Sequence, residues 1–68
     1  MRNESVVELK MEPFGGFIGR SVDRETFEIV KMYIQDGRDK MEIIRELRDG
    51  GFSLGHAISI WQNASWEA

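Results

Sequence analysis

The 68-residue sequence contains no cysteine, one proline and one histidine. Without cysteine the chain can form neither a disulfide nor a thiolate zinc site, which suits a reducing compartment. No apolar run approaches the roughly 18–20 residues that cross a bilayer. The first residues are polar or charged and lack the pattern of a signal peptide. We therefore expect a cytoplasmic protein with no membrane segment.

The chain is also too short to feed two hydrophobic cores, so we expect one domain over residues 1–68. Its residues are 41% hydrophobic and 31% charged, with a formal net charge of −3, a composition typical of globular proteins. A domain of this length buries only about 60% of the surface that its unfolded chain exposes. The free energy of unfolding of such a domain is small, and binding to a partner or to a second copy often adds to it.

The front of the chain has the period of a β-strand. From Val7 onward, apolar Val7, Leu9 and Met11 alternate with charged residues. Residues 13–16 contain Pro and two Gly, which interrupt a strand with a turn. Residues 17–22 can form a second short strand. The pattern predicts a hairpin over residues 5–22, which needs a helical layer to pack on.

Capping residues divide the remainder into three helices, which we predict over residues 23–36, 39–49 and 53–64. Asp23, Asp39 and Ser53 are residue types whose side chains accept hydrogen bonds from the free amides of a first turn. Gly37 and the glycines at 50–51 favour helix ends, because glycine adopts positive φ without strain. Residues 65–68 are expected to fray.

Apolar residues at helical spacing predict one buried face for each helix. These faces consist of Phe27, Val30 and Ile34 with Ile29 and Tyr33; of Ile43, Ile44 and Leu47; and of Leu54, Ala57, Ile58 and Trp61, widened by Ile60 and Ala64. The predicted fold class is α+β, in the order ββααα: an N-terminal β-hairpin packed on a three-helix unit that resembles a helix-turn-helix.

Residues with catalytic chemistry are scarce. His56 lies one helical turn from Ser53, but a nucleophile and its base need a third group to orient the base, and no carboxylate is close to His56 in sequence. Ser53 is better explained as a helix cap. The acids alternate with Lys and Arg, as on a solvated surface. We expect no enzyme activity and no catalytic residue.

The sequence evidence for a metal, phosphate or cofactor site is equally weak. Residues 36–39 resemble a fragment of a calcium loop but lack its further acids and its closing Glu. Residues 14–20 are rich in glycine, yet they lie between two predicted strands and not before a helix. A turn between two helices explains residues 36–39, and a hairpin turn explains residues 14–20. We expect no bound metal and no cofactor.

A helix-turn-helix interpretation has the right spacing but the wrong charge. The second and third predicted helices are separated by the glycine turn typical of that motif. No Lys or Arg follows Arg48, so the recognition helix would carry no cation, and phosphate contacts need cations. A dimer pooling Arg38, Lys40, Arg45 and Arg48 is the alternative: a nucleic-acid-binding regulator.

Residues 40–48 and 51–57 resemble the helical hairpin in the C-terminal domain of the bacterial ribosomal stalk protein. The shared pattern is Lys40, two aliphatics, a basic residue, an aliphatic–Arg pair, a glycine turn and then Leu before Ala57. In that family the basic face of the hairpin docks translation GTPases. The resemblance implies a docking face at Lys40, Arg45 and Arg48. Glu42 interrupts that face, and the turn is one residue shorter.

Aromatic residues supply further candidate contacts. Phe14 and Phe17 flank the glycines of the predicted hairpin, and Trp66 lies near the end of the last helix. Aromatic side chains are enriched at protein–protein contacts. With Lys40, Arg45 and Arg48 they form our set of partner-binding residues.

These residues predict a non-catalytic adaptor or inhibitor that binds a larger protein or complex. A homodimer is an alternative partner, and nucleic acid is not expected to bind. A compact chain of this size is typical of proteins encoded by phages or mobile elements.

Overall fold

The computed structural model describes residues 5–10 and 21–68. Within them the order is β1 (Val6–Glu8), β2 (Ser21–Asp23), α1 (Arg24–Gln35), α2 (Lys40–Asp49) and α3 (Leu54–Glu67). The two strands pair antiparallel, with Val7 opposite Val22. The predicted ββααα, α+β fold is confirmed.

Within the described residues, each strand has three residues. β1 ends at Glu8, and β2 covers Ser21 to Asp23. The inward and outward pattern continues past β1, since Leu9 is buried and Lys10 is exposed. The predicted turn at 13–16, with Met11 and the start of the predicted second strand, lies outside the described residues.

Each helix begins at the predicted cap. The Asp23 carboxylate accepts hydrogen bonds from the backbone N–H and the hydroxyl of Thr26, both at 3.0 Å. These bonds, the one from the hydroxyl foremost, lower the pKa of Asp23. Asp39 accepts from the N–H of Met41 and Ser53 from that of His56.

The core lies between the three helices, and α1 makes the closest contacts with the strand pair. α1 and α3 pack together most closely, and α2 closes the other side of α3. The buried apolar side chains are Leu9, Val22, Phe27, Val30, Ile43, Ile44, Leu47, Ala57, Ile60 and Ala64.

Three residues predicted to be buried are exposed: Ile29, Leu54 and Ile58. On α3 the predicted burial of Ala57, Ile60 and Ala64 is confirmed, and Ser59 and Asn63 are buried beside them. The small side chains of the two alanines face the core. The larger Leu54 and Ile58 therefore lie on the outer side of α3.

The last helix continues three residues beyond the predicted end at 64. The Ala68 N–H donates to the Ala64 carbonyl oxygen at 2.9 Å, and Glu67 forms an ion pair with Lys31 of α1 at 3.4 Å. The Ser65 hydroxyl donates to the carbonyl oxygen of Gln62. The predicted fraying of 65–68 is wrong, because these contacts hold the last turn.

Both helix–helix turns use a glycine with positive φ. Gly37 has φ +85° and Gly51 has φ +108°. After α2 the Gly51 N–H donates to the Arg48 carbonyl oxygen, and the Phe52 N–H donates to that of Leu47. This pair of bonds is the Schellman arrangement, which satisfies carbonyls that the helix leaves open.

The adjacent glycines of the second turn predict opposite effects of alanine. Gly51→Ala should lower the free energy of unfolding by about 1–2 kcal/mol, since a side chain is strained at that φ. Gly50→Ala should be neutral or stabilising by up to about 1 kcal/mol, because its φ is −84° and a Cβ there meets only ordinary contacts. Urea denaturation of both variants measures the difference, and equal effects would contradict the assigned backbone conformations.

Candidate functional site

Four of the six predicted partner-binding residues fall within the described residues: Lys40, Arg45, Arg48 and Trp66. Phe14 and Phe17 lie outside them. The structure brings Arg45 and Arg48 together on one side of α2. It places Lys40 and Trp66 elsewhere.

Arg45 and Arg48 line a groove on the outer side of α2, which we call the basic groove. Its volume is about 430 Å³. Met41, Arg45 and Arg48 project from one side of the helix, because positions i, i+4 and i+7 share a face. The full lining is Met41, Ile44, Arg45, Arg48, Asp49, Gly51 and Phe52.

The floor of the basic groove is apolar. Met41 is 62% exposed, the largest fraction among the exposed apolar side chains of the described residues. Phe52 is half-buried at the end of the α2–α3 turn, where its ring meets the His56 ring edge-on at a centroid distance of 4.9 Å. The turn therefore fixes an aromatic side chain beside the two arginines.

Neither Arg45 nor Arg48 forms an ion pair with another described residue. The other flank of α2 differs, because Arg38 pairs with both Glu42 and Glu46. The hydrogen bond to Glu46 is the main cause that raises the pKa of Arg38. Arg45 and Arg48 therefore bring to the basic groove positive charge that no described acid pairs with, and Asp49 is the acid in the lining.

Lys40 is not part of the basic groove. Its ammonium lies 4.7 Å from the centroid of the Trp61 ring, a cation–π contact between α2 and α3. The face implied by the stalk-protein resemblance is thus divided. Arg45 and Arg48 line one surface, and Lys40 covers an aromatic ring on another.

Trp66 lies in the last turn of α3 and is 51% exposed. Its neighbour in sequence, Glu67, holds that turn against Lys31 of α1. About half of the Trp66 side chain is therefore available to a partner, and its contact role remains a prediction.

A second depression, about 340 Å³, lies on the outer side of α1. Its lining includes exposed Ile29 and Met32, together with Glu28 and Lys31. Glu28 and Lys31 already pair with each other, at 3.5 Å. This surface offers fewer uncompensated charges than the basic groove.

His56 has a structural role. Its Nε2 lies 2.8 Å from the carbonyl oxygen of Ser21, and because a carbonyl only accepts, Nε2 carries the hydrogen. The Ser53 hydroxyl oxygen accepts from the His56 backbone N–H. The two side chains thus serve a strand contact and a helix cap. In the described part of the chain, no group of three or more His, Asp or Glu could hold a metal ion.

Comparison with family models, curated proteins and solved structures finds no match for this chain. The longest helix among residues 5–10 and 21–68 has 14 residues, and none there could span a membrane.

Sequence reasoning missed Met41 and Phe52 as groove residues. Their signal was present: Met41 precedes Arg45 by four residues, and Phe52 follows the glycine of positive φ. The sequence does not show the direction in which the Phe52 side chain points. That direction depends on the backbone of the turn and on the ring of His56.

Proposed function

We propose that this chain is a non-catalytic protein-binding module, an adaptor or inhibitor, that docks on a larger protein through the basic groove. The observation that carries the proposal is the pair Arg45 and Arg48. Neither is paired with another described residue, and both stand beside exposed Met41 and half-buried Phe52. Charge and apolar surface occur there together.

The chemistry of the groove favours an amphipathic segment that carries carboxylates. A guanidinium presents a planar fork of donors that matches a carboxylate in two parallel hydrogen bonds. The apolar floor accepts one or two aliphatic or aromatic side chains, as in helix-in-groove recognition. Asp49 repels a carboxylate at its end of the groove, so we expect the acids of the partner to be few and placed near Arg45.

Selection from a displayed random-peptide library tests this role, because the groove itself chooses the sequences that it binds. We expect selected peptides to combine one or two Asp or Glu with apolar residues at helical spacing. The double variant Arg45→Gln/Arg48→Gln should weaken binding of a selected peptide about tenfold or more, since hydrogen bonds to charged groups contribute about 1.5–3 kcal/mol.

The matched control is Lys10→Gln/Arg24→Gln, which makes the same change in net charge away from the groove. Both of its residues are exposed, so the fold should persist. The control should bind within about twofold of the parent chain. Peptides without acids, or equal losses in the two double variants, would overturn the assignment of the groove.

The same proteins test the alternative, a helix-turn-helix regulator. The turn between α2 and α3 suits that motif, but the outer side of α3 carries Leu54 and Ile58 and no cation. We expect no binding to duplex DNA by fluorescence anisotropy at about 50 mM salt, where non-specific phosphate contacts are strong. Affinity that falls steeply with salt would favour the regulator over the adaptor.

A further inference from the structure

Asp49 gives one end of the basic groove a negative charge. It is the last residue of α2, it is exposed, and it lines the groove together with the two arginines. Arg45 precedes it by four residues, a spacing at which opposite charges can pair on a helix. No ion pair joins Asp49 to another described residue. The carboxylate of Asp49 and the guanidinium of Arg45 are therefore both available to a partner.

Asp49 and Arg48 are neighbours in sequence but occupy different sides of α2. At 100° per residue their positions on the helix diverge by about 100°, and the position of Arg45 lies between them. Adjacent residues of a helix do not face each other. A cation of the partner can therefore contact Asp49 without meeting Arg48.

The backbone of α2 adds to the negative charge at this end of the groove. A helix dipole places about half of a negative elementary charge at its C-terminus, and α2 ends at Asp49. Arg45 lies four residues earlier, about 6 Å along the helix axis. The basic groove thus offers a positive group and a negative end about one helical turn apart.

An occupant with charges of both signs fits this arrangement better than a purely acidic one. A second carboxylate would face Asp49 and the negative end of α2, whereas a base there is attracted to both. To span the same 6 Å, the acid and the base of a helical occupant must lie three or four residues apart. We infer that Asp49 is a specificity-determining residue of the basic groove: it selects a segment whose Lys or Arg lies one turn from the acid that binds Arg45. This inference rests on the proposed docking function.

The charges also give the occupant a direction. An antiparallel segment places the positive N-terminal end of its own dipole against the negative C-terminal end of α2. In that direction the base that contacts Asp49 precedes the acid that contacts Arg45. A base four residues before an acid pairs less well within its own helix than the reverse order, which leaves both groups for the groove.

Selection of helical peptides from a displayed library against Asp49→Lys tests this inference. Lysine in the last turn of a helix complements the dipole, so the variant should fold. The parent chain should select peptides in which a base precedes an acid by three or four residues, and Asp49→Lys should select an acid at the position of that base. Glu25→Lys is the matched control, because it makes the same change in net charge at an exposed residue of α1. It should select the parent pattern.

A charge swap measures the contact itself. Asp49→Lys should weaken binding of a peptide selected by the parent chain about fivefold, because an attraction becomes a repulsion at a partly solvated position. Replacement of the base of that peptide by Glu should weaken its binding to the parent chain and restore its binding to Asp49→Lys. Glu25→Lys should change both affinities less than twofold.

The inference and the proposed function fail in different ways. If Arg45→Gln/Arg48→Gln loses affinity while Asp49→Lys still selects the parent pattern, the docking function stands and the role of Asp49 is overturned. Selection of the acid before the base would overturn the antiparallel direction. If the double arginine variant binds like the parent chain, the groove is not the docking site, and both proposals are overturned.

Discussion

Phe27→Ala is expected to lower the free energy of unfolding by about 3–5 kcal/mol. Phe27 is 1% exposed and is among the largest fully buried side chains of the described residues. Replacement of a buried Phe by Ala costs about 3–5 kcal/mol, through lost burial and the cavity that remains. A domain of this length has a total stability of about 3–10 kcal/mol. The substitution therefore removes a large part of it, or all.

The matched control lies two residues along the same helix. Ile29→Ala removes an apolar side chain that is 39% exposed, so it should cost less than about 1 kcal/mol. Urea denaturation followed by far-ultraviolet circular dichroism measures both variants. A loss below about 1.5 kcal/mol for Phe27→Ala would contradict its place in the core.

Asn63→Asp is the second substitution with a large expected effect. The Asn63 Oδ1 accepts from the Lys10 N–H at 2.9 Å, and its Nδ2 donates to the carbonyl oxygens of Lys10 at 3.0 Å and Ser59 at 2.8 Å. Aspartate keeps the shape but loses both donated bonds, and it places a carboxylate in a site that is 7% exposed. We expect a loss of about 3 kcal/mol or more at neutral pH.

The pH dependence separates charge from shape. Burial next to carbonyl oxygens should raise the pKa of the introduced carboxyl above its ordinary value of about 3.9. A group with a raised pKa in the folded state regains stability as the pH falls, so the deficit should shrink between pH 7 and pH 4. Gln62→Glu makes the same chemical change at the neighbouring, half-buried position and should cost less than about 1 kcal/mol. Equal deficits at the two positions would contradict the role of Asn63.

The sequence predicted the helix boundaries well where a local interaction decides them. Caps at Asp23, Asp39 and Ser53 and the positive φ of Gly37 depend on a few neighbouring residues, which can be recognised without the tertiary structure. The buried face of α2 was also predictable. Its apolar residues stand among charges that mark the solvent side.

α3 lacked that marker, and its buried face was predicted only in part. With no charge between 54 and 66, Leu54 and Ile58 were assigned to the core together with Ala57, Ile60 and Ala64, and the structure buries only the last three of these. Close packing of α1 against α3 favours small side chains between them, and only the tertiary structure reveals that preference. The contact of Asn63 with Lys10 spans 53 residues, beyond any local pattern.

The candidate site was predicted in part for the same reason. The arginines of α2 were named from the stalk-protein resemblance. Helical spacing places Arg45 three residues from Glu42 and four from Asp49, where ion pairs can form, so the sequence alone does not show that Arg45 lacks one. The combination of the arginines with Phe52 depends on a turn. The position of Lys40 over Trp61 depends on how two helices cross.

The strand pair has a consequence for motion in the native state. Two strands of three residues cannot persist alone in water. Here the amide of Asn63 bonds the backbone of Lys10, two residues after β1, and the imidazole of His56 bonds the carbonyl oxygen of Ser21 in β2. Detachment of this edge would leave the buried amide of Asn63 without its two bonds to Lys10. Local opening at this edge is therefore coupled to α3, and the strands and that helix should exchange their amide hydrogens as one cooperative unit.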